Sequence, residues 1–199
     1  MSQPARDVDI IPLWPTWLGQ LQLPDAEEPN RELAAVAGKS SGNLFGAEHR
    51  AGTWLRGWVN EAMSQWFEKM RVASAPAWRL SGRLEALGFG QYRELGNEPG
   101  AYLAGFYFVN APAAAELDHL RSDCRPSHVS MLDPRVGFNA LALEGDPNYE
   151  ESRTFVPVPG LLMLWPGYVR HCSRVHLARE PWVRVALRID LEAATGAAA

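Results

Sequence analysis

Hydrophobic and polar positions divide the chain into two parts with different periodicity. Over residues 51–72, apolar residues recur at spacings of three, four and one, as on one face of an α-helix. The members of this stripe are Trp54, Leu55, Trp58, Val59, Ala62, Trp66, Phe67 and Met70. From Trp78 onward, short apolar runs alternate with turn residues, which is typical of a β structure. The pattern therefore predicts a helical layer followed by a sheet-forming region.

The second part contains eight predicted strands. They are residues 78–87, 101–109, 127–132, 138–143, 153–158, 161–165, 168–176 and 182–191. Eight short strands of this kind suit a jelly roll. We therefore expect a mainly β fold, a double-stranded β-helix of the jelly-roll, cupin-like type, with an N-terminal helical layer.

The first part carries weaker signals. Residues 8–23 mix apolar residues with Pro12 and Pro15, which predicts extended edge structure because proline cannot donate to a strand ladder. Asn30 is a predicted N-cap for a short helix over 31–37, which Gly38 would end.

Length and continuity favour a single domain. A chain of 199 residues can bury a substantial core, and no internal repeat or linker divides it. We expect one domain over 1–199, with the N-terminal strand and helices in 1–75 and the jelly-roll core in 76–192. The small residues of 193–199 predict a frayed tail.

Charge and composition exclude several classes of partner. The net charge of -4 is not the electrostatic footprint of a nucleic-acid-binding protein. No window approaches the roughly 18 apolar residues of a membrane span, and the polar, acidic residues 1–9 are unlike a signal peptide. Cys124 and Cys172 form neither a C-x-x-C motif nor a disulfide framework. We therefore expect a cytoplasmic protein, with a single bond between the two cysteines as the alternative.

A candidate site is indicated near the last strands. Gly160 and the Pro166-Gly167 pair are turn signals that place His171 at the start of a strand, directed into the barrel mouth. Arg184 and Arg188 are four residues apart on a predicted strand, so their side chains face the same way. Inward arginines need partners because burying an unpaired charge is costly, and a bidentate carboxylate would satisfy one of them.

These residues also have ordinary explanations. A lone histidine on a strand is more often a core or surface residue than a metal ligand. Arg188 has Asp190 as a nearby acid with which it can pair at the surface. A strand register shifted by one residue would turn both arginines outward.

Four segments in order resemble one family, the jelly-roll 2-oxoglutarate/Fe(II)-dependent oxygenases. They are GFGQYRELGNEPGAYLAGFYFVNAP (88–112), MLDPR (131–135), FVPVPGLLMLWPGYVRH (155–171) and RVALRIDL (184–191). The N-terminal IIPLWPTWLGQLQL is also similar to the family's opening strand. The third segment is the most specific, since its proline, glycine and histidine fall at the offsets of the family's pattern. The likeness covers nearly the whole chain.

The resemblance implies a set of site residues and a chemistry. His171 would be the catalytic residue and an Fe(II) ligand, and Glu98 would be a carboxylate ligand of the same ion. Arg184 would anchor 2-oxoglutarate, with Arg188 and Tyr107 also in the cofactor site. The implied reaction is hydroxylation or desaturation of an amino acid, a peptide or a small natural-product intermediate.

The chain departs from the family at the proximal metal ligands. The family's His-x-His/Asp segment aligns with Gly96-Asn97-Glu98, and glycine has no side chain with which to bind Fe(II) in a facial triad. His128 is the candidate for the missing ligand, with His119 as another. The alternative is a metal-independent or inactive member that binds a carboxylate ligand through Arg184, or a protein partner.

The two hypotheses predict different geometries. Convergence of His171, Glu98 and a third ligand on one point would favour a metal enzyme, whereas a salt bridge that occupies Arg184 would favour the metal-independent alternative. In either case we expect a small-molecule or peptide partner, and neither nucleic acid nor a membrane. A homodimer through the tryptophan-rich helix is an alternative to that helix covering the sheet.

Overall fold

A computed structural model describes residues 15–39, 42–46, 49–112, 126–135 and 152–192. The predicted strand 138–143, together with His119 and Cys124, lies outside the described residues. The elements, in chain order, are β1 (Gly19–Gln22), α1 (Glu27–Val36), a 3-10 turn (Leu44–Gly46), α2 (Arg50–Lys69), β2 (Trp78–Leu87), β3 (Arg93–Gly96), β4 (Leu103–Phe108), β5 (Val129–Leu132), β6 (Ser152–Phe155), β7 (Leu161–Pro166), β8 (His171–Ser173) and β9 (Trp182–Leu191).

The strands form two antiparallel sheets. The larger sheet has the order β1-β7-β4-β9-β2, and the smaller has the order β3-β8-β5-β6. Apolar side chains from both sheets meet in one cluster between them. The predicted mainly β jelly roll with an N-terminal helical layer is confirmed. Neither helix in the described ranges has an apolar stretch long enough to cross a membrane.

Helix α2 covers the outer face of the larger sheet. Its apolar stripe buries Leu55, Val59 and Met63 against residues of β9 such as Val185 and Leu187. The predicted stripe therefore contacts the sheet, and the helix owes its stability mainly to this packing rather than to its own propensity.

Helix α1 begins earlier than predicted. It starts at Glu27, and Pro29 lies in its first turn, where the missing N–H would have had no intrahelical partner. The acids Glu27 and Glu28 favour this end of the helix dipole. The prediction of Asn30 as the N-cap is wrong, because Asn30 lies inside the helix and its side chain accepts a hydrogen bond from Tyr107.

Strand β9 separates the helix layer from the barrel interior. Its odd-numbered residues Val183, Val185, Leu187 and Ile189 belong to the cluster under the helices. Its even-numbered residues Trp182, Arg184, Ala186 and Arg188 face the space between the two sheets, as strand alternation requires. The inward direction of the two arginines, expected from their spacing, follows from this register.

Candidate functional site

His171 opens β8 and faces the barrel interior. Its ring centroid lies 5.4 Å from that of Phe106 and 5.0 Å from that of Trp165, both edge-on. Burial lowers the pKa of His171, and the nearby charge of Arg184 acts in the same direction. The Nδ1 atom is 3.2 Å from the carbonyl oxygen of Val169, which favours the tautomer protonated at Nδ1. The imidazole is therefore neutral at pH 7, with the Nε2 lone pair available.

Gly96 lies directly opposite His171. The two residues are paired across β3 and β8, so a side chain at position 96 would project to the same face as the imidazole. A Cβ atom added to Gly96 would meet no heavy atom within 4 Å. The position where the resemblance expects a histidine thus has room for a side chain but supplies no donor.

The side chain of Glu98 forms an ion pair with Arg188. Its Oε2 lies 3.4 Å from Arg188 Nη1, and its side chain is 42% exposed. Arg188 also lies 2.9 Å from a carboxylate oxygen of Asp190 and donates to the carbonyl oxygen of Pro99 at 3.3 Å. The pairing of Arg188 with Asp190, expected as the alternative from the sequence, is thus present. Arg188 therefore fixes the loop that carries Glu98.

Arg184 is buried, and each of its three guanidinium nitrogen atoms donates a hydrogen bond. Its Nε and Nη2 groups donate to the same oxygen of Glu85 at 3.1 and 3.0 Å, and its Nη1 group donates to Ser173 Oγ. The guanidinium carbon lies 3.8 Å from the ring centroid of Phe106, a cation–π arrangement. Burial lowers the pKa of Arg184 to about 10, although Glu85 opposes that change. An internal carboxylate thus occupies the partner position that the sequence assigned to a ligand.

Glu85 is the functional residue that sequence reasoning missed. Besides Arg184, it lies 2.8 Å from Arg83 and 3.5 Å from Arg93. Burial alone would raise the pKa of Glu85, but Arg184, Arg83 and Arg93 together hold it below its usual value. The carboxylate is therefore ionised inside the barrel wall.

Tyr107 lies on the other side of the sheet from these residues. It packs under the helices, with its ring centroid 5.9 Å from that of Trp54, and its hydroxyl donates to Asn30 at 2.5 Å. Burial raises the pKa of Tyr107. Because alternate residues of β4 face opposite ways, this placement does not support its assignment to a cofactor site.

His128 does not join His171 either. It precedes β5, and its Nδ1 atom lies 2.6 Å from the carbonyl oxygen of Pro126. The β5 residue paired with His171 is Met131. Its thioether is a soft ligand and is not suited to binding Fe(II) beside an imidazole and a carboxylate.

The donor set does not fit an Fe(II) facial triad within the described residues. His171 contributes one imidazole and Gly96 contributes nothing, so Glu98 would be a second ligand and a third is missing among the described residues. No group of three or more histidine, cysteine, aspartate or glutamate residues is placed to hold a metal in the described ranges. A facial triad requires three such ligands on one face of the ion.

Two buried donors of the barrel lack partners. The indole Nε1 atoms of Trp165 and Trp182 are buried and make no hydrogen bond in the described part of the chain. Buried polar groups of this kind are rare in proteins and call for an acceptor.

A cavity of about 270 Å³ opens beside β2 and β9. Its wall includes Ser81, Arg83, Ala186, Arg188 and Glu98, together with Asn43 from the segment before α2. Three of these side chains are charged, so the cavity is suited to a polar ligand.

Comparisons with known proteins show the fold. No protein-family model matches the chain, and no curated protein matches it in sequence. Among solved structures, it is similar to a Pseudomonas putida prolyl-4-hydroxylase at 12% identity, covering 88% of both chains with a TM-score of 0.57. It is also similar to iron-bound HygX from Streptomyces hygroscopicus, at 10% identity, covering 88% of this chain and 83% of that one with a TM-score of 0.58.

A third similar structure is the non-heme alpha-ketoglutarate-dependent epimerase SnoN of nogalamycin biosynthesis. Its identity is 13%, the coverage is 92% of this chain and 84% of that one, and the TM-score is 0.52. Together these likenesses show that the chain has a 2-oxoglutarate/Fe(II)-oxygenase-like fold.

Proposed function

We propose that this chain binds a small carboxylate in its barrel without a metal ion. The observation that carries the proposal is a surplus of positive charge on the barrel wall. Within the described residues, five arginines, namely Arg79, Arg83, Arg93, Arg184 and Arg188, contact three carboxylates, those of Glu85, Glu98 and Asp190. An anionic ligand would offset this surplus through charge-assisted hydrogen bonds, which are stronger than neutral ones.

Exposure indicates which of these cations can reach a ligand. The side chains of Arg83 and Arg93 are 66% and 49% exposed, although each touches Glu85. Their remaining N–H groups face solvent and are available to a carboxylate, since a guanidinium carries five donors. Arg184 is buried in its ion pair and supports the wall instead.

Metal independence is supported by the residues around His171. Gly96 has no ligand to offer opposite the imidazole, and the described residues hold no group of three metal-binding side chains there. A carboxylate ligand would therefore be held by exposed arginines such as Arg83 and Arg93 rather than through a metal.

The proposal is tested by metal content and calorimetry together. Protein purified without added metal, and again after anaerobic Fe(II) loading, is expected to hold far less than one iron per chain by elemental analysis. Succinate or 2-oxoglutarate is expected to bind equally well with and without a chelator. Stoichiometric iron that is lost in His171→Ala would overturn the metal-independent reading.

A matched gain-of-donor variant sharpens this test. Gly96→His places a second imidazole opposite His171 in open space, so its iron content after loading is expected to exceed that of the wild type. Equal iron content in both proteins would contradict the view that the site lacks iron because it lacks a donor at position 96.

A second candidate function is an Fe(II)- and 2-oxoglutarate-dependent oxygenase acting on an amino acid, peptide or small natural product. One observation favours it: His171 opens β8, its Nδ1 is occupied by the Val169 carbonyl, and its ring faces the barrel, where the resemblance expects a metal ligand. Succinate formation from 2-oxoglutarate in the iron-loaded wild type, absent in His171→Ala, would select this candidate.

A further inference from the structure

The cavity beside β2 and β9 contains both signs of charge. Arg83 supplies the accessible cation, because its side chain is 66% exposed and, among the described residues, only its Nη2 group is engaged, at 2.8 Å from Glu85. Arg188 also lines the cavity, but it is already committed to Asp190, Glu98 and the carbonyl of Pro99. A ligand carboxylate in this cavity would therefore be recognised mainly by Arg83.

Asn43 adds a neutral donor with a defined orientation. Its Oδ1 accepts hydrogen bonds from the backbone N–H groups of Phe45 at 3.2 Å and Gly82 at 2.9 Å. Because both bonds need an acceptor, they assign the carbonyl end of the amide and leave the Nδ2 group as a donor at the cavity wall.

Glu98 supplies the opposite charge. Only its Oε2 contacts a cation, at the long distance of 3.4 Å from Arg188 Nη1, and its side chain is 42% exposed. The carboxylate can therefore accept hydrogen bonds from a ligand cation without giving up a short ion pair. A purely anionic ligand would instead be repelled by Glu98.

We propose that this cavity binds an α-amino acid, with its carboxylate at Arg83 and the Asn43 amide and its ammonium group at Glu98. The inference rests on the proposed carboxylate-binding function and names the ligand class and the place. The volume of about 270 Å³ suits a molecule of amino-acid size rather than a folded partner. Arg184, neutralised by Glu85, is part of the wall and not the anchor.

Calorimetric titration with matched ligand pairs tests the proposal. L-Glutamate is compared with 2-oxoglutarate, and L-alanine with pyruvate, since each pair differs by an amino group in place of a keto oxygen. The amino acids are expected to bind at least about tenfold more tightly, as one charge-assisted hydrogen bond would allow. Equal or tighter binding of the keto acids would overturn the proposal.

Charge variants assign the two ends of the ligand. Arg83→Gln is expected to weaken all four ligands by about tenfold or more, whereas Glu98→Gln should remove only the preference for amino acids. The matched controls are Arg153→Gln on the exposed start of β6, outside the cavity, and Glu94→Gln on exposed β3. Thermal unfolding of each variant checks that the fold is retained, because Arg83 also contacts Glu85.

The outcomes separate this inference from the function on which it rests. If carboxylates bind the wild type but Arg93→Gln, not Arg83→Gln, removes binding, carboxylate binding stands and this cavity is wrong. If none of the four ligands binds the wild type, both proposals fall.

Discussion

The two faces of the larger sheet are built from the same strands but depend on different physics. On the helix side, residues such as Val185 and Leu187 belong to a large cluster of buried apolar side chains. On the barrel side, Arg184 and Arg188 alternate with them along the same strand and meet carboxylates and aromatic rings. Apolar burial is non-directional and tolerates substitution, whereas a buried ion pair requires both partners. Substitutions on the barrel side should therefore lower the stability of the fold more than substitutions on the helix side.

The largest effect is expected from breaking the buried pair. Glu85→Gln leaves the Arg184 guanidinium buried without its anion, which should lower the free energy of unfolding by about 3–5 kcal/mol. Urea unfolding followed by circular dichroism measures the change.

The matched control for that variant removes both charges. A double variant, Glu85→Leu with Arg184→Met, should recover much of the lost stability, since well-packed apolar residues can replace a buried pair. If the double variant is less stable than Glu85→Gln, the unpaired charge of Arg184 is not the main cause of the loss in Glu85→Gln.

A smaller effect is expected on the helix side of the same strand. Val185→Ala removes buried methyl groups and should cost about 2 kcal/mol, including the cavity that it leaves. The same urea experiment compares it with Glu85→Gln, and a larger loss at Val185 would reverse the contrast between the two faces.

A polar contact on the helix side should matter less again. Tyr107→Phe removes the hydrogen bond to Asn30 but keeps the buried ring, so a loss of about 1 kcal/mol is expected. Ligand binding should not change, because Tyr107 faces away from the barrel. If Tyr107→Phe keeps its fold but loses carboxylate binding, Tyr107 belongs to the ligand site after all.

The smallest expected effect is a pH dependence of the free energy of unfolding, which arises from His171 on the barrel side. The pKa of His171 is lower in the fold than its usual value of 6.5, so the unfolded chain binds more protons just below that pH. Stability should therefore fall as the pH drops from 6.5 towards 4.5, below which Glu85 begins to act in the same direction. Urea midpoints across this window should show a gentler slope in His171→Phe, and an unchanged slope would assign the effect elsewhere.

Much of the fold could be predicted where strands are half-buried. Strands β2 and β9 have the predicted bounds 78–87 and 182–191, because their apolar residues alternate and turn residues flank them. Strand β3 was missed, since all four of its residues are exposed and give no apolar alternation. These residues form a strand because they pair with β8, which lies far along the chain.

The site was only partly predictable for the same reason. The position of His171 at a strand start and the shared face of Arg184 and Arg188 follow from local spacing, and both are observed. The partner of Arg184 is not local: Glu85 lies 99 residues earlier and meets it through the register of β2 against β9. Local periodicity specifies which way a side chain faces, but not which distant strand supplies its counter-ion.

The open space around Gly96 has a consequence for how this barrel can change over evolutionary time. A Cβ atom added to Gly96 would meet no heavy atom of the described residues within 4 Å, and the backbone there is not in the left-handed conformation that favours glycine. Exchange between a chain that carries a donor at this position and one that does not is therefore nearly neutral for folding. Selection at position 96 would act on chemistry alone, and the scaffold would be free to lose or regain a ligand there without compensating mutations.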